Sequence, residues 1–308
     1  MQEEAVVVKH TGSHYLLSRL PEWNVFPSVI RGKLRLKGTD STNPIAVGDR
    51  VEYYMADDGT AVISEILPRK NYIIRKSTNL SRQSHIIASN LDAVYLVLTM
   101  DFPEVKLAFV DRFLVTCEAY KIPVTILVNK FDLYDEAHLK MFEAFDAIYT
   151  QAGYRVQQIS AKTGEGVDWL REDVKGKVVL FSGTSGVGKS SLISVLDHDL
   201  SIKIGKISEC HNQGKHTTTF YEMHPISTGG FIIDTPGIRG FGLVDLKPEE
   251  ISLYFPEMLR LADDCRFVPC THTHEPGCAV KQAVENGDIS AERYMSYLGM
   301  LEEYSKYR

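Results

Sequence analysis

The chain has 308 residues, a hydrophobic share of 44%, a charged share of 24% and a formal net charge of −6. Such a length suits about two or three globular domains; the negative balance argues against indiscriminate nucleic-acid binding, and no apolar run approaches the roughly 20 residues of a membrane span. Met1-Gln2-Glu3-Glu4 is not the basic start of a signal peptide, and four of five cysteines fall after residue 209, so a metal site in a cytoplasmic protein is expected rather than a disulfide framework.

Residues 1–70 alternate in the manner of short strands, at 5–8, 15–19, 28–37, 50–55 and 61–67, punctuated by Gly12, Gly38, Gly48 and Gly59. Five strands in that length predict a small closed all-β barrel, with an OB-fold as first choice. Arg31, Lys33, Arg35 and Lys37 occupy every other position, hence one strand face, while Leu34 and Leu36 face the core. Four cations so spaced suit a phosphate backbone, and the alternative is a solvated strand face. Residues 71–90 read as a polar linker with a basic bias.

Beyond Leu91 strands and helices alternate: apolar runs at 92–99, 124–128, 156–159 and 178–181, with helical patterns at 110–120, 136–152 and 167–174. This predicts a parallel sheet with crossover helices over 91–245. At the end of its second strand stands Asn129-Lys130-Phe131-Asp132, where a nucleotide base would lie. Asp132 can accept hydrogen bonds from guanine N1–H and the 2-amino group, which adenine lacks. The next strand ends in Ser160-Ala161-Lys162, a base-supporting loop.

Gly183-Thr184-Ser185-Gly186-Val187-Gly188-Lys189-Ser190-Ser191 follows the apolar run 178–181 and carries the complete phosphate-loop pattern. Small residues let backbone N–H groups close around phosphate oxygens, Lys189 reaches the β- and γ-phosphates, and the Ser190 hydroxyl ligates Mg²⁺. Thr218, or a neighbour in Gly214-Lys215-His216-Thr217-Thr218-Thr219, would complete the Mg²⁺ shell. A strand at 231–233 delivers Asp234-Thr235-Pro236-Gly237, with Asp234 fitting an outer-shell Mg²⁺ role and the Gly237 N–H a γ-phosphate contact.

Residues 246–308 hold Cys265, Cys270, His272 and Cys278, a closed Cys3His set of the structural zinc type, with His274 as competing ligand. This region has seven basic and eleven acidic residues, a poorer RNA binder than the barrel. A helix after Ser290 spaces Tyr294, Tyr297, Leu298, Leu301 and Tyr304 as a packing stripe.

In ordinary small GTPases the phosphate loop precedes the base motifs; here it follows them, which is a circular permutation. With GKHTTT and DTPG, the chain resembles, from about residue 5 to about residue 300, the bacterial small-subunit-dependent GTPases of the RsgA (YjeQ/YloQ) type. The resemblance implies an OB-fold, a permuted P-loop GTPase and a mainly helical zinc domain, with GTP/GDP, Mg²⁺ and one Zn²⁺. It further implies action on the small (30S) ribosomal subunit and its rRNA, late in assembly; the chain is expected to be a monomer with no membrane partner. The alternative is a GTP-regulated RNA-binding module or a GTPase acting on tRNA. Ile238 stands where Ras-like enzymes carry the water-orienting glutamine, and the resembling family assigns that role to a histidine at the place of His216.

Overall fold

Five strands open the computed structural model, which describes residues 2–11, 14–30, 45–76, 84–200, 222–234 and 246–306. They are β1 (Glu3–Thr11), β2 (His14–Arg19), β3 (Asn24–Ile30), β4 (Arg50–Met55) and β5 (Ala61–Ile66). Their order is β1-β2-β3-β5-β4, and β4 pairs back onto β1 to close an OB-like barrel. Period-two alternation sends Ala5, Val7, Tyr15, Leu17, Val51, Tyr53 and Ile63 inward. The four cations Arg31, Lys33, Arg35 and Lys37 lie outside the described residues.

Strand β1 feeds two cores. A register shift between Val7 and Lys9 leaves Val7 inside the barrel and turns Val8 into the core of the central sheet.

The described residues of the segment read as a linker, 71–76 and 84–90, are structured, which corrects that expectation there. Strands β6 (Tyr72–Lys76) and β7 (Ser84–Ser89) pair antiparallel, and Ile73, Ile87 and Ala88 join the central core. The runs Tyr72-Ile73-Ile74 and Ile86-Ile87-Ala88 are too apolar to leave in water. Nor do the basic residues before β6 form a free cationic surface. Arg69 donates to both oxygens of buried Asp49, at 2.6 and 2.5 Å, and Lys70 pairs with Asp92.

The central region runs β8 (Ala93–Leu98), α1 (Leu107–Ala119), β9 (Val124–Val128), α2 (Glu136–Ala152), β10 (Arg155–Gln158) and α3 (Val167–Asp173). It continues with β11 (Val178–Ser182), α4 (Lys189–Leu196), β12 (Glu222–Ile226) and β13 (Gly230–Asp234). Their order is β10-β9-β8-β11-β13-β12, parallel except for β12. Strand β8 is buried on both faces: Val94, Leu96 and Leu98 pack under α1 and α2, whereas Ala93, Tyr95 and Val97 pack under α3 and α4. Strand β12 runs antiparallel to β13, with Glu222 opposite Asp234 and Ile226 opposite Gly230.

One ladder contact, Lys9 opposite Glu222, joins barrel and sheet, reinforced by their 2.6 Å ion pair and by Trp23 stacked on Phe231. After a 3-10 stretch (Pro248–Tyr254) come α5 (Pro256–Leu259), α6 (Ala279–Asn286) and α7 (Ala291–Lys306), the last packed on α1.

Candidate functional site

The phosphate loop joins β11 to α4, and its glycines have local reasons. Gly183 has φ +142°, and a Cβ there would sit 2.0 Å from the Val97 carbonyl oxygen. Gly188 has φ +97°, and its Cβ would lie 2.3 Å from Asn129 Nδ2. Only glycine satisfies both the backbone conformation and the close approach. Lys189 curls back over the loop, Nζ donating to the carbonyls of Gly183 (2.8 Å) and Thr184 (2.7 Å), and burial holds its ammonium below its ordinary pKa. Ser190 and Ser191 are exposed in the first turn of α4, where free N–H groups and the helix dipole favour an anion.

Asn129 ends β9 and is buried. Its Nδ2 donates to Val187 O at 2.8 Å, and its Oδ1 accepts from Ala161 N at 3.1 Å. One side chain therefore ties phosphate loop, NKFD segment and SAK loop together. Lys130 adopts φ 63° and donates to Phe102 O at 2.7 Å. Asp132 is aimed by its neighbours: Ser160 Oγ donates to Oδ1 at 2.6 Å, and Lys162 Nζ stands 3.6 Å from Oδ2. Asn129, Lys130, Asp132, Ala161, Lys162 and Gly188 line a cavity of about 450 Å³, a size suited to a small molecule. The expected phosphate-loop and base residues thus converge at the carboxyl ends of β9, β10 and β11. Of the others, Thr218, Gly237 and His216 lie outside the described residues, and Asp234 is placed only as the last residue of β13.

The Cys3His set converges separately. The ligand atoms of Cys265, Cys270, His272 and Cys278 all lie within 4.8 Å of one another. Cys265 Sγ is 3.7 Å from His272 Nδ1 and 4.0 Å from Cys278 Sγ, and His272 Nδ1 is 3.3 Å from Cys278 Sγ. A tetrahedron with Zn–S bonds near 2.3 Å has edges of about 3.5–3.8 Å, so the donor set fits that ion. Burial keeps His272 below its ordinary pKa, hence neutral as a ligand must be, and pushes the Cys270 thiol up to about 12, so that its thiolate would need a bound cation. His274 is not a member of this cluster, and its Nδ1 lies 2.9 Å from Thr273 Oγ1. The loop is clamped to α7, with Tyr294 OH donating to His272 O at 2.6 Å and Tyr297 OH to Thr271 O at 2.5 Å.

Two groups escaped the sequence reading. Tyr134 OH accepts from Met100 N at 2.8 Å and donates to Asn129 O at 3.1 Å, holding the end of NKFD from behind. Arg293 is buried in α7 and grips Glu257 and Asp111. Its signal was present: Arg293, Tyr297 and Met300 are spaced i, i+4, i+7, so the buried face of α7 is turned one residue from the expected stripe.

A family model described as RsgA GTPase matches residues 66–244. The small ribosomal subunit biogenesis GTPase RsgA of Bacteroides fragilis is 54% identical over 307 residues, 99% of either chain. The protein of the same name from Flavobacterium psychrophilum is 49% identical over 300 residues, 96% of this chain and 92% of the relative. Among solved structures, YjeQ from Thermotoga maritima superposes with a TM-score of 0.79 at 34% identity, covering 98% of each chain. YloQ, described as a circularly permuted GTPase, gives 0.76 at 28% identity, covering 100% of this chain and 96% of that one. With base motifs preceding the phosphate loop, in one pocket held by Asn129, this chain belongs to the RsgA GTPase family.

Proposed function

We propose that the chain hydrolyses GTP on the small ribosomal subunit during its late maturation, with turnover stimulated by that subunit. The carrying observation is the Asn129 junction, which brings three sequence-distant motifs to one cavity beside Asp132. In this reading residues 183–191 cradle the phosphates, Asp132 accepts from guanine, and Ser160, Ala161 and Lys162 support the base. Ser190, Thr218 and Asp234 would hold Mg²⁺, which when bound neutralises developing phosphate charge, and the Gly237 N–H would meet the γ-phosphate. Cys265, Cys270, His272 and Cys278 would hold one structural Zn²⁺.

The names of the relatives support the small subunit as partner. Arg31, Lys33, Arg35 and Lys37, which the sequence spaces along one strand face, are assigned to rRNA contact, and the protein is assigned to the cytoplasm as a monomer. The domain plan is barrel 1–70, hairpin connector 71–90, permuted GTPase 91–245 and metal domain 246–308. The test is GTP turnover by the purified chain alone, with isolated small subunits, and with tRNA. Strong stimulation by subunits alone is expected, and equal stimulation by tRNA, or none by subunits, would sink the assignment.

A further inference from the structure

The ribbon of β12 and β13 carries the roots of both segments assigned to Mg²⁺ and the γ-phosphate: Glu222 follows 214–219 by three residues, and Asp234 opens 234–237. Its two ends are held by different parts of the molecule. At the turn end, Ser227 N donates to Asp197 Oδ2 and Phe231 N to Lys177 O, both at 2.8 Å, so the end of α4 and the start of β11 fix it. The described ladder between β13 and β11 then ends at Leu180 opposite Ile233, one residue before Asp234.

At the other end the ribbon is met by the barrel. Strand β1 pairs with β12 at Lys9 opposite Glu222, and Glu222 in turn stands opposite Asp234. Lys9, Glu222 and Asp234 therefore form one row across three strands, about 10 Å from first backbone to last. Lys9 Nζ donates to Glu222 Oε2 at 2.6 Å, and with the two side chains 30% and 27% exposed, water screens the pair only in part. A second barrel contact lies nearer the turn: Trp23, between β2 and β3, stacks on Phe231 with ring centres 5.5 Å apart. Trp23 holds a left-handed φ of 51° there, a backbone that a bulky residue keeps only where its surroundings impose it. The barrel thus grips both strands of the ribbon.

We propose that Lys9 and Glu222 are positioning residues through which the placement of the barrel sets the arrangement of residues 214–219 and 234–237, so that a barrel seated on RNA speeds hydrolysis. The inference rests on the subunit-stimulated GTPase reading. The ribbon works as a lever: with its turn end fixed, a shift of β1 acts on the row and passes to the backbones of Glu222 and Asp234, at the roots of the two segments. Packed elements move between discrete arrangements rather than deforming continuously, so a small shift at the row suffices. The ion pair supplies the grip, because one ladder position is a weak joint, and without the pair the barrel moves without carrying the ribbon along.

The experiment measures steady-state GTP turnover of the full chain against the concentration of isolated small subunits, for wild type, Lys9→Glu, Glu222→Lys and the two exchanged together. Each single reversal should lower the stimulated maximal rate about three- to tenfold, the worth of one partly buried ion pair turned repulsive, with unstimulated turnover within about twofold of wild type. The exchanged pair should recover most of the loss. The signs separate this from attraction to RNA: Lys9→Glu removes positive charge and Glu222→Lys adds it, so a mere electrostatic contact would move subunit affinity in opposite directions and leave the maximal rate alone. Should a reversal fail to fold, the neutral variants Lys9→Met and Glu222→Gln give the same test at about two- to threefold amplitude. A stimulated wild type with undiminished maximal rates in the variants, or a loss that the exchanged pair leaves unrecovered, overturns this inference alone. A wild type that subunits do not stimulate overturns the proposed function and this inference with it.

Discussion

The carboxamide of Asn129 donates to Val187 O at 2.8 Å, just where Gly188 leaves room for it, so that a Cβ on Gly188 would stand 2.3 Å from Asn129 Nδ2. The NKFD segment and the Gly183–Ser191 loop are thus one mechanical unit, although 58 positions separate the bonded residues. The permuted order does not disturb this, because the two segments follow β9 and β11, parallel strands of one sheet with only β8 between them.

Gly188→Ala should therefore weaken guanine-nucleotide binding by tenfold or more. The left-handed backbone costs a side chain roughly 1–2 kcal/mol, and the collision with Asn129 adds to it. In an Asn129→Ala background the collision disappears, so the second substitution should cost only the backbone part. Fluorescent GDP titrations of the two single variants and the double variant form the cycle, and strict additivity would contradict the coupling.

The metal centre predicts a different phenotype. Three sulfurs and one imidazole at mutual tetrahedral spacing should retain about one zinc per chain after purification. Cys270→Ser should lose it, and amide exchange should rise from residue 265 into α7, which holds the loop through Tyr294 and Tyr297. Nucleotide affinity should stay within about twofold, because no metal ligand lines the cavity. Zinc analysis together with hydrogen exchange checks both parts.

How legible was this in the sequence? The phosphate loop, NKFD, SAK and the Cys3His set are short patterns whose chemistry dictates their spacing, and their described members come together in two clusters, one joined by Asn129 and one of sulfurs and imidazole. The strand pair within 71–90 was missed because Arg75, Lys76 and Arg82, with no acidic residue among them, mark its composition, while the apolar triplets that decide its fate are only three residues long. Tyr134 carries no motif: its hydroxyl meets Met100 N, 34 positions earlier, a relation that period and composition do not encode. Arg293 was missed because cations are read as surface, yet it lies on the buried face of its helix.

Catalysis gives the next expectation. Ile238 cannot hold a water by hydrogen bonding, so unstimulated hydrolysis should be slow. We propose His216 as the residue that positions the attacking water when the subunit is bound. His216→Ala should keep GTP and subunit binding while losing most of the stimulated turnover, on the order of 10²-fold. Full stimulation of that variant would assign the water to another group, rRNA included.

The final prediction concerns the joint between metal domain and GTPase. Arg293 is 1% exposed; its Nε and Nη2 meet Glu257 at 2.5 and 3.1 Å, and its Nη1 meets Asp111 at 2.7 Å. Tyr149 OH donates to the same Asp111 oxygen at 3.0 Å, and the guanidinium lies 5.0 Å from the Phe255 ring centre and 5.4 Å from that of Tyr149. One cation thus joins α7, α5, α1 and α2. Burial pushes the Asp111 carboxyl up from its ordinary range, with Arg293 opposing, so the pair depends on its partner for charge balance. Arg293→Met would strand two buried carboxylates, and urea unfolding should report a loss of about 3–5 kcal/mol, with the 246–306 region loosening first. Exchanging all three charges together, as Arg293→Met with Glu257→Leu and Asp111→Leu, should recover much of that loss, because the desolvation cost of the ions goes with them. A loss below about 1 kcal/mol for Arg293→Met alone would show that water reaches the joint and that the ion cluster does not fasten the two regions.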